Sequence, residues 1–209
     1  SGVRGSVALA SGGQRSCCGR RRCEVSTRLF VPGRLCLFGE HSDWAGGWRR
    51  VDPKLAAGAC LVSGTDQGLR ARVSAEQGAL SVRSTLPDGR CEGPLRLALD
   101  PASLAAAATD GGFFSYAAGA ALEVVTRFGV DGVALSIESD LPARRGLSSS
   151  AALCVLVVRA FSTVHGLGLT PREEIELAYA GERRTGSECG RMDQICAYGR
   201  RLTALRFAA

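Results

Sequence analysis

The sequence predicts an α+β fold, on three observations. Short apolar or alternating runs bounded by Gly, Asp and Pro fill the first half of the chain, as strands do. Longer runs with apolar residues at helical spacing fill the second half. The two kinds alternate only in part, which suits an α+β domain better than a doubly wound parallel sheet.

Residues 29–31 and 35–38 read as strand material broken at Pro32-Gly33, and residues 56–63, 69–74 and 80–84 are further strand candidates. Residues 113–128 carry apolar side chains at helical spacing and stop at Gly129, a helix terminator. Residues 133–138 form another strand. Residues 149–164 predict a strongly apolar helix closed by Gly166. Thr170-Pro171-Arg172-Glu173 opens the last helix with a hydroxyl cap, a proline at the first position and a capping-box acid. Residues 200–209 read as a final strand, and no internal repeat is present.

The chain has 209 residues, 45% of them hydrophobic, enough to bury a sizeable core and to exclude disorder along its whole length. No run approaches the roughly 18 apolar residues of a spanning helix, so no membrane partner is expected. The chain opens on Ser1 and its one methionine is Met192, as in a fragment or a processed form. The formal charge of +6 invites a polyanionic partner, but its location argues otherwise. Residues 1–28 hold Arg4, Arg15, Arg20, Arg21, Arg22 and Arg28 against Glu24, so +5 of the +6 sits there and +1 in the body. Aromatic residues do not interleave with the basic ones, which excludes a stacking surface for nucleic acid.

Residues 1–28 are therefore expected to be a disordered basic leader, with the composition of a transit-peptide remnant or without any role. Residues 29–209 form the folded domain. The nine cysteines are odd in number and show no paired CxxC spacing, so reduced thiols in a reducing compartment are expected rather than a zinc site. That places the protein in the cytoplasm, or in a plastid if the leader is a transit peptide.

Three segments carry chemistry. Leu141-Pro142-Ala143-Arg144-Arg145-Gly146-Leu147-Ser148-Ser149-Ser150-Ala151-Ala152 runs from a strand into a buried helix. A glycine and three hydroxyl residues at a helix start offer backbone N–H groups and the positive end of the helix dipole to a phosphate. Lys54 is the only lysine and stands far from this loop, which excludes a P-loop. In the segment from Pro32 to Gly47, Glu40, His41 and Asp43 present several acceptors and a donor to a small polyhydroxylated ligand. A polar surface turn would look the same. In the third, Cys189-Gly190-Arg191-Met192-Asp193-Gln194, Asp193 reads equally as a general base or a helix N-cap.

Together the three segments resemble the GHMP kinases, the family of galactokinase, homoserine kinase, mevalonate kinase and phosphomevalonate kinase. The segment from Pro32 is similar to the galactokinase first motif, PGR…GEH.D…GG; Gly146 to Ala151 matches GLSSSA; Cys189 to Gln194 resembles CG.MDQ. The resemblance implies the N-terminal domain of that family, a ribosomal protein S5 domain 2-like α+β fold, with the C-terminal ferredoxin-like domain and its glycine-rich third motif not contained in the chain.

The resemblance also implies ATP-dependent phosphorylation of a small-molecule hydroxyl, with a monosaccharide and ATP as partners and Mg²⁺ as cofactor. Asp193 matches the base and Arg34 the arginine that stabilises the transferring group. Glu40, His41, Asp43 and Gly190 match substrate-binding residues, and Arg145, Gly146, Leu147, Ser148, Ser149, Ser150 and Ala151 the ATP cradle. Ser150 and Glu182 match the Mg²⁺ ligands. The chain departs from galactokinases at Cys36 for asparagine, Trp44 for tyrosine, and Arg144 and Arg145 for glycines. It also has one residue fewer between Glu182 and Asp193, which brings Glu188 forward as a second metal candidate. A mevalonate-type kinase, or a sugar- and ATP-binding sensor without turnover, are the alternative functions, and a chain without the closing domain is expected to be inactive alone.

Overall fold

The computed structural model describes residues 26–43, 48–49, 51–141 and 147–207. Most of the expected leader lies outside that set, but Thr27 and Arg28 already pair with Val73 and Arg72, so the sheet begins before residue 29.

Six strands form one sheet: β1 (Thr27–Phe38), β2 (Gly58–Glu76), β3 (Ala79–Thr85), β4 (Cys91–Ala98), β5 (Gly132–Ser139) and β6 (Leu202–Phe207). Among the described residues, four α-helices, α1 (Pro101–Thr109), α2 (Ser115–Phe128), α3 (Ser149–His165) and α4 (Pro171–Arg184), and a short 3-10 helix at Asp193–Tyr198 accompany it. The sheet order is β1-β2-β5-β3-β4, with β6 on the first half of β2. All pairings are antiparallel except β3 with β5. Strands precede most helices, as an α+β fold requires.

Two expectations change. Pro32-Gly33 does not break the first strand; the ladder shifts register between Pro32 and Arg34 and continues. An added Cβ at Gly33 would lie 2.7 Å from Leu141 Cδ2 and 3.3 Å from the Leu147 carbonyl, so the glycine admits a close approach of the loop before α3. Likewise the candidates at 56–63 and 69–74 are halves of one 19-residue strand, held by β6 at one end and β5 at the other. β4 and α1 were not expected at all.

Alternate residues of the central strands, among them Val31, Leu69, Ala71, Val73, Leu135 and Ile137, face the helices. Against them lies α3, whose residues Ala151 to Val158 are buried all round, as in a helix sandwiched between a sheet and other helices. The expected helix ends are met by geometry: Gly129 and Gly166 adopt left-handed φ of 60° and 64° and close α2 and α3. Thr170 and Glu173 form the capping box of α4. The six described cysteines are free, and burial pushes Cys60 and Cys189 up to about 11 and Cys196 to about 12. Such thiols are protonated and inert at neutral pH. No helix among the described residues is long and apolar enough to cross a membrane.

Candidate active site

The register shift at Gly33 turns Arg34 inward. Its side chain is 8% exposed and meets Asp193, 159 residues away, with Nε donating to Oδ1 at 2.8 Å and Nη2 donating to the same oxygen. Nη1 lies 3.5 Å from Glu40 Oε1, whose side chain is half-exposed. Burial by itself lowers the Arg34 pKa, but the charges of Asp193 and Glu40 outweigh it and raise it, so the guanidinium stays charged. Asp193 is the first residue of the 3-10 helix, whose cap position is Met192, and it makes no cap bond. Of the two readings of Asp193, the N-cap is therefore overturned.

Asp43 joins the same cluster from the loop after β1. Its Oδ2 accepts from the Met192 amide at 3.2 Å. A Cβ on Gly190 would stand 1.6 Å from that oxygen, so any side chain there would displace the carboxylate from this position. His41 takes a left-handed φ of 64° in the turn between Glu40 and Asp43. Ser42 secures that turn by donating to the carbonyls of Gly39 at 2.6 Å and Ala59 at 2.8 Å.

The second segment approaches from the other side. The Arg34 amide donates to the Leu147 carbonyl at 3.3 Å, which ties β1 to the loop preceding α3. Ser148, at the N-cap of α3, has φ 52° and makes no side-chain cap bond. The 17-residue helix thus presents its first turn with Ser148, Ser149, Ser150 and Ala151 and no internal cap. Arg145 and Gly146 lie outside the described residues, as do Arg144 and Trp44.

Ser150 Oγ donates to Glu182 Oε1 at 2.8 Å. Glu182 is 2% exposed. It is drawn in by a helix crossing in which a Cβ on Gly119 would meet the Gly181 carbonyl at 2.3 Å. Burial pushes the Glu182 carboxyl above the usual range, against the bonds from Ser150 and Gln194 and reinforced by the charge of Asp193. Glu188, the second candidate, is exposed. Ser150 and Glu182 are thus two hard oxygen donors side by side, a pair able to take part in holding a divalent cation.

Two residues of the site were given no role from the sequence. Gln194 is fully buried and donates from Nε2 to Glu182 Oε2 at 2.7 Å, while its Oε1 has no hydrogen-bond partner among the described residues. Arg159 braces the site from beneath. It donates to Glu174, to the Phe30 carbonyl at 3.3 Å and to the Ala197 carbonyl at 2.7 Å. The signals were a lone amide ahead of Ile195-Cys196-Ala197 and a lone charge in the apolar α3.

The fold and this constellation define a mixed α+β domain that gathers three separated motifs at one helix N-terminus. Residues 115–200 match the family model described as GHMP kinases N terminal domain. A galactokinase of Mycobacterium tuberculosis is 32% identical over 179 residues, covering 84% of this chain and 44% of that protein. An L-arabinokinase of Arabidopsis thaliana is 35% identical over 98 residues, covering 44% of this chain and 9% of that protein. The structure of Lactococcus lactis galactokinase complexed with galactose superposes with a TM-score of 0.65 at 20% identity, covering 87% of this chain and 47% of that one. Residues 115–200 thus carry a match to the GHMP kinase N-terminal domain, and the chain is similar to galactokinases along most of its length. It spans less than half the length of these relatives.

Proposed function

We propose that the protein transfers the γ-phosphoryl group of ATP to a hydroxyl of a monosaccharide. The observation that carries this reading is the Arg34–Asp193 pair, seated against the uncapped start of α3 through the Arg34–Leu147 bond. Phosphoryl transfer asks for a base on the acceptor hydroxyl, a cation beside the transferring group and a cradle for the phosphates. Asp193 takes the hydroxyl proton on its outer oxygen, its other oxygen being held by Arg34. Arg34 neutralises charge that develops on the phosphoryl oxygens. The first turn of α3 and the hydroxyls of Ser148 to Ser150 bind the phosphates. Ser150 and Glu182 would hold Mg²⁺, which would supply charge neutralisation for the phosphates. Glu40, His41 and Asp43 orient the sugar hydroxyls, and Gly190 leaves room for that loop.

The carboxylates of Glu40 and Asp43 oppose a carboxylated acceptor, which would need a cation in their place, and so favour a neutral sugar over mevalonate. The similar galactokinase and L-arabinokinase both act, by name, on sugars, and galactose is not singled out because Cys36 stands at an asparagine of the galactokinase motif. The test is ADP release by the intact protein with Mg²⁺-ATP and a panel of monosaccharides, mevalonate and homoserine. Turnover with one sugar is the expected result. Turnover with mevalonate alone would overturn the sugar reading, and ATP binding without turnover on any acceptor would make the protein a sensor.

A further inference from the structure

The opposite face of the sheet carries an arrangement that the kinase reading does not use. Residues opposite one another on neighbouring strands share a face. Arg28 stands opposite Arg72, Arg72 opposite Ser136, and Arg83 opposite the same Ser136. Three arginines thus run in a row across β1, β2 and β3, with Arg83 Nε donating to Ser136 Oγ at 2.9 Å. Their sequence neighbours Ala71, Val73, Leu135 and Ile137 are buried under the helices, so the row faces away from the core and the active site. Like charges directly opposed across a ladder weaken the sheet. Among the described residues neither Arg28 nor Arg72 has an acidic partner, and the fold gives no reason for the pairing.

The next row down makes this a site rather than a scatter of charge. Phe30, opposite Arg70, lines a groove of about 840 Å³. The Arg70 and Arg200 guanidinium carbons sit 5.0 and 4.7 Å from its ring centroid. Both guanidinium groups lie within cation–π distance of the ring, a contact that restrains them before any ligand arrives and lowers the ordering cost of binding. Arg70 also pairs with Asp140 at 2.6 Å and Arg200 with Asp66 at 3.3 Å, both exposed and weak. The lining counts five arginines, with Arg201 the fifth, against one acid, Glu138.

We propose that this groove binds a small molecule carrying two or more phosphate groups, at a site separate from the catalytic one. Arginine forks match phosphate oxygens in pairs, and Arg28, Arg72 and Arg201, which have no acidic partner among the described residues, spread over two strands and the segment after the 3-10 helix, farther than one phosphate group reaches with paired bonds. The groove has the volume of a small-ligand site, roughly 300–1,000 Å³, which favours such a ligand over an acidic polypeptide needing a wider contact. Arg200 and Arg201 directly follow the 3-10 helix that begins at Asp193, and Arg28 and Phe30 lie on the strand that carries Arg34, so occupancy has a short path to the catalytic pair.

The test is calorimetric titration of the intact protein with inorganic triphosphate, in parallel with ATP, without Mg²⁺. The wild type should show two binding events, one at the start of α3 and one that weakens steeply with salt. In Arg28→Gln/Arg72→Gln the second event should weaken at least about tenfold, as expected for losing charge-assisted bonds, while the melting temperature stays level or rises because an opposed charge pair is gone. Arg201→Gln, which lies outside the ladder, should weaken the same event on its own and carries the test if the double variant melts low. Equal second-event affinity for triphosphate and ATP assigns a bare polyphosphate ligand; tighter ATP binding assigns a nucleotide. A single event in the wild type, an undiminished second event in both variants, or binding of a polynucleotide with no second triphosphate event would overturn the proposal.

Discussion

Arg34 and Arg159 make the two least exposed arginine–carboxylate pairs among the described residues, and they spend their partners differently. Arg159 reaches both oxygens of Glu174, at 3.1 Å from Nε, and two backbone carbonyls as well. Glu174 is 5% exposed, and the pair locks α3, α4, β1 and the 3-10 helix together. Arg34 places both of its bonds on Oδ1 of Asp193, whose side chain is 25% exposed. A saturated pair has nothing left to offer and holds the fold. A pair with one oxygen turned outward keeps an acceptor for a proton, held in place by the oxygen that is bound.

The sharpest way to break that contrast is Asp193→Asn in the intact protein. Sugar-dependent ADP release should fall by about 10³-fold or more, as for loss of a general base, with ATP binding and melting temperature nearly unchanged. Retained turnover would end the assignment of the base. The reciprocal change, Arg159→Met, should do the opposite: a loss of about 3 kcal/mol of stability from the stranded Glu174 carboxylate, read by denaturant unfolding, with kcat little affected in the protein that remains folded.

Arg34→Lys sharpens the comparison, because a point charge cannot reproduce the fork that meets Asp193. We expect kcat to drop about tenfold or more from the lost charge-assisted bond, with a smaller effect on the KM for ATP. The smallest effect concerns Glu182. Burial raises its pKa in the folded state, so the folded protein binds more protons than the unfolded chain between the ordinary and the raised value. Stability therefore falls as pH rises through that window and stays lowered above it. Glu182→Gln should remove the loss: its melting temperature should gain on the wild type from acid to neutral pH, and the Mg²⁺ concentration needed for turnover should rise. A constant gap across pH would show that Glu182 is not desolvated.

Much of the fold was legible because helix ends and buried helices are local statements. The capping box at Thr170, the stops at Gly129 and Gly166 and the apolar run of α3 need no long-range information. α1 was missed although Asp100-Pro101 is a good helix start, because its alanine-rich sequence gives Leu104 as the only large apolar residue and no periodicity. β4 was missed because Cys91–Ala98 alternates only weakly and contains Gly93-Pro94. The fusion of two strand candidates into β2 depends on β5 and β6, both far away in sequence.

The same division holds for the candidate site. By itself the sequence nominated the residues proposed to carry the chemistry, since a serine-rich helix start, a cluster of Glu, His and Asp, and an aspartate after a glycine are properties of short segments. Only the tertiary structure decided what each does to the others. It set the Arg34 charge against Asp193 across 159 residues and buried Glu182 against Ser150 with Gln194 behind it. It also fitted Gly190 beneath Asp43 and lined up Arg28 with Arg72 on the far face of the sheet. Local patterns follow from backbone geometry within a few residues. Burial, ion pairing and register arise only when distant segments exclude water together, and those are the terms that set charge and reactivity.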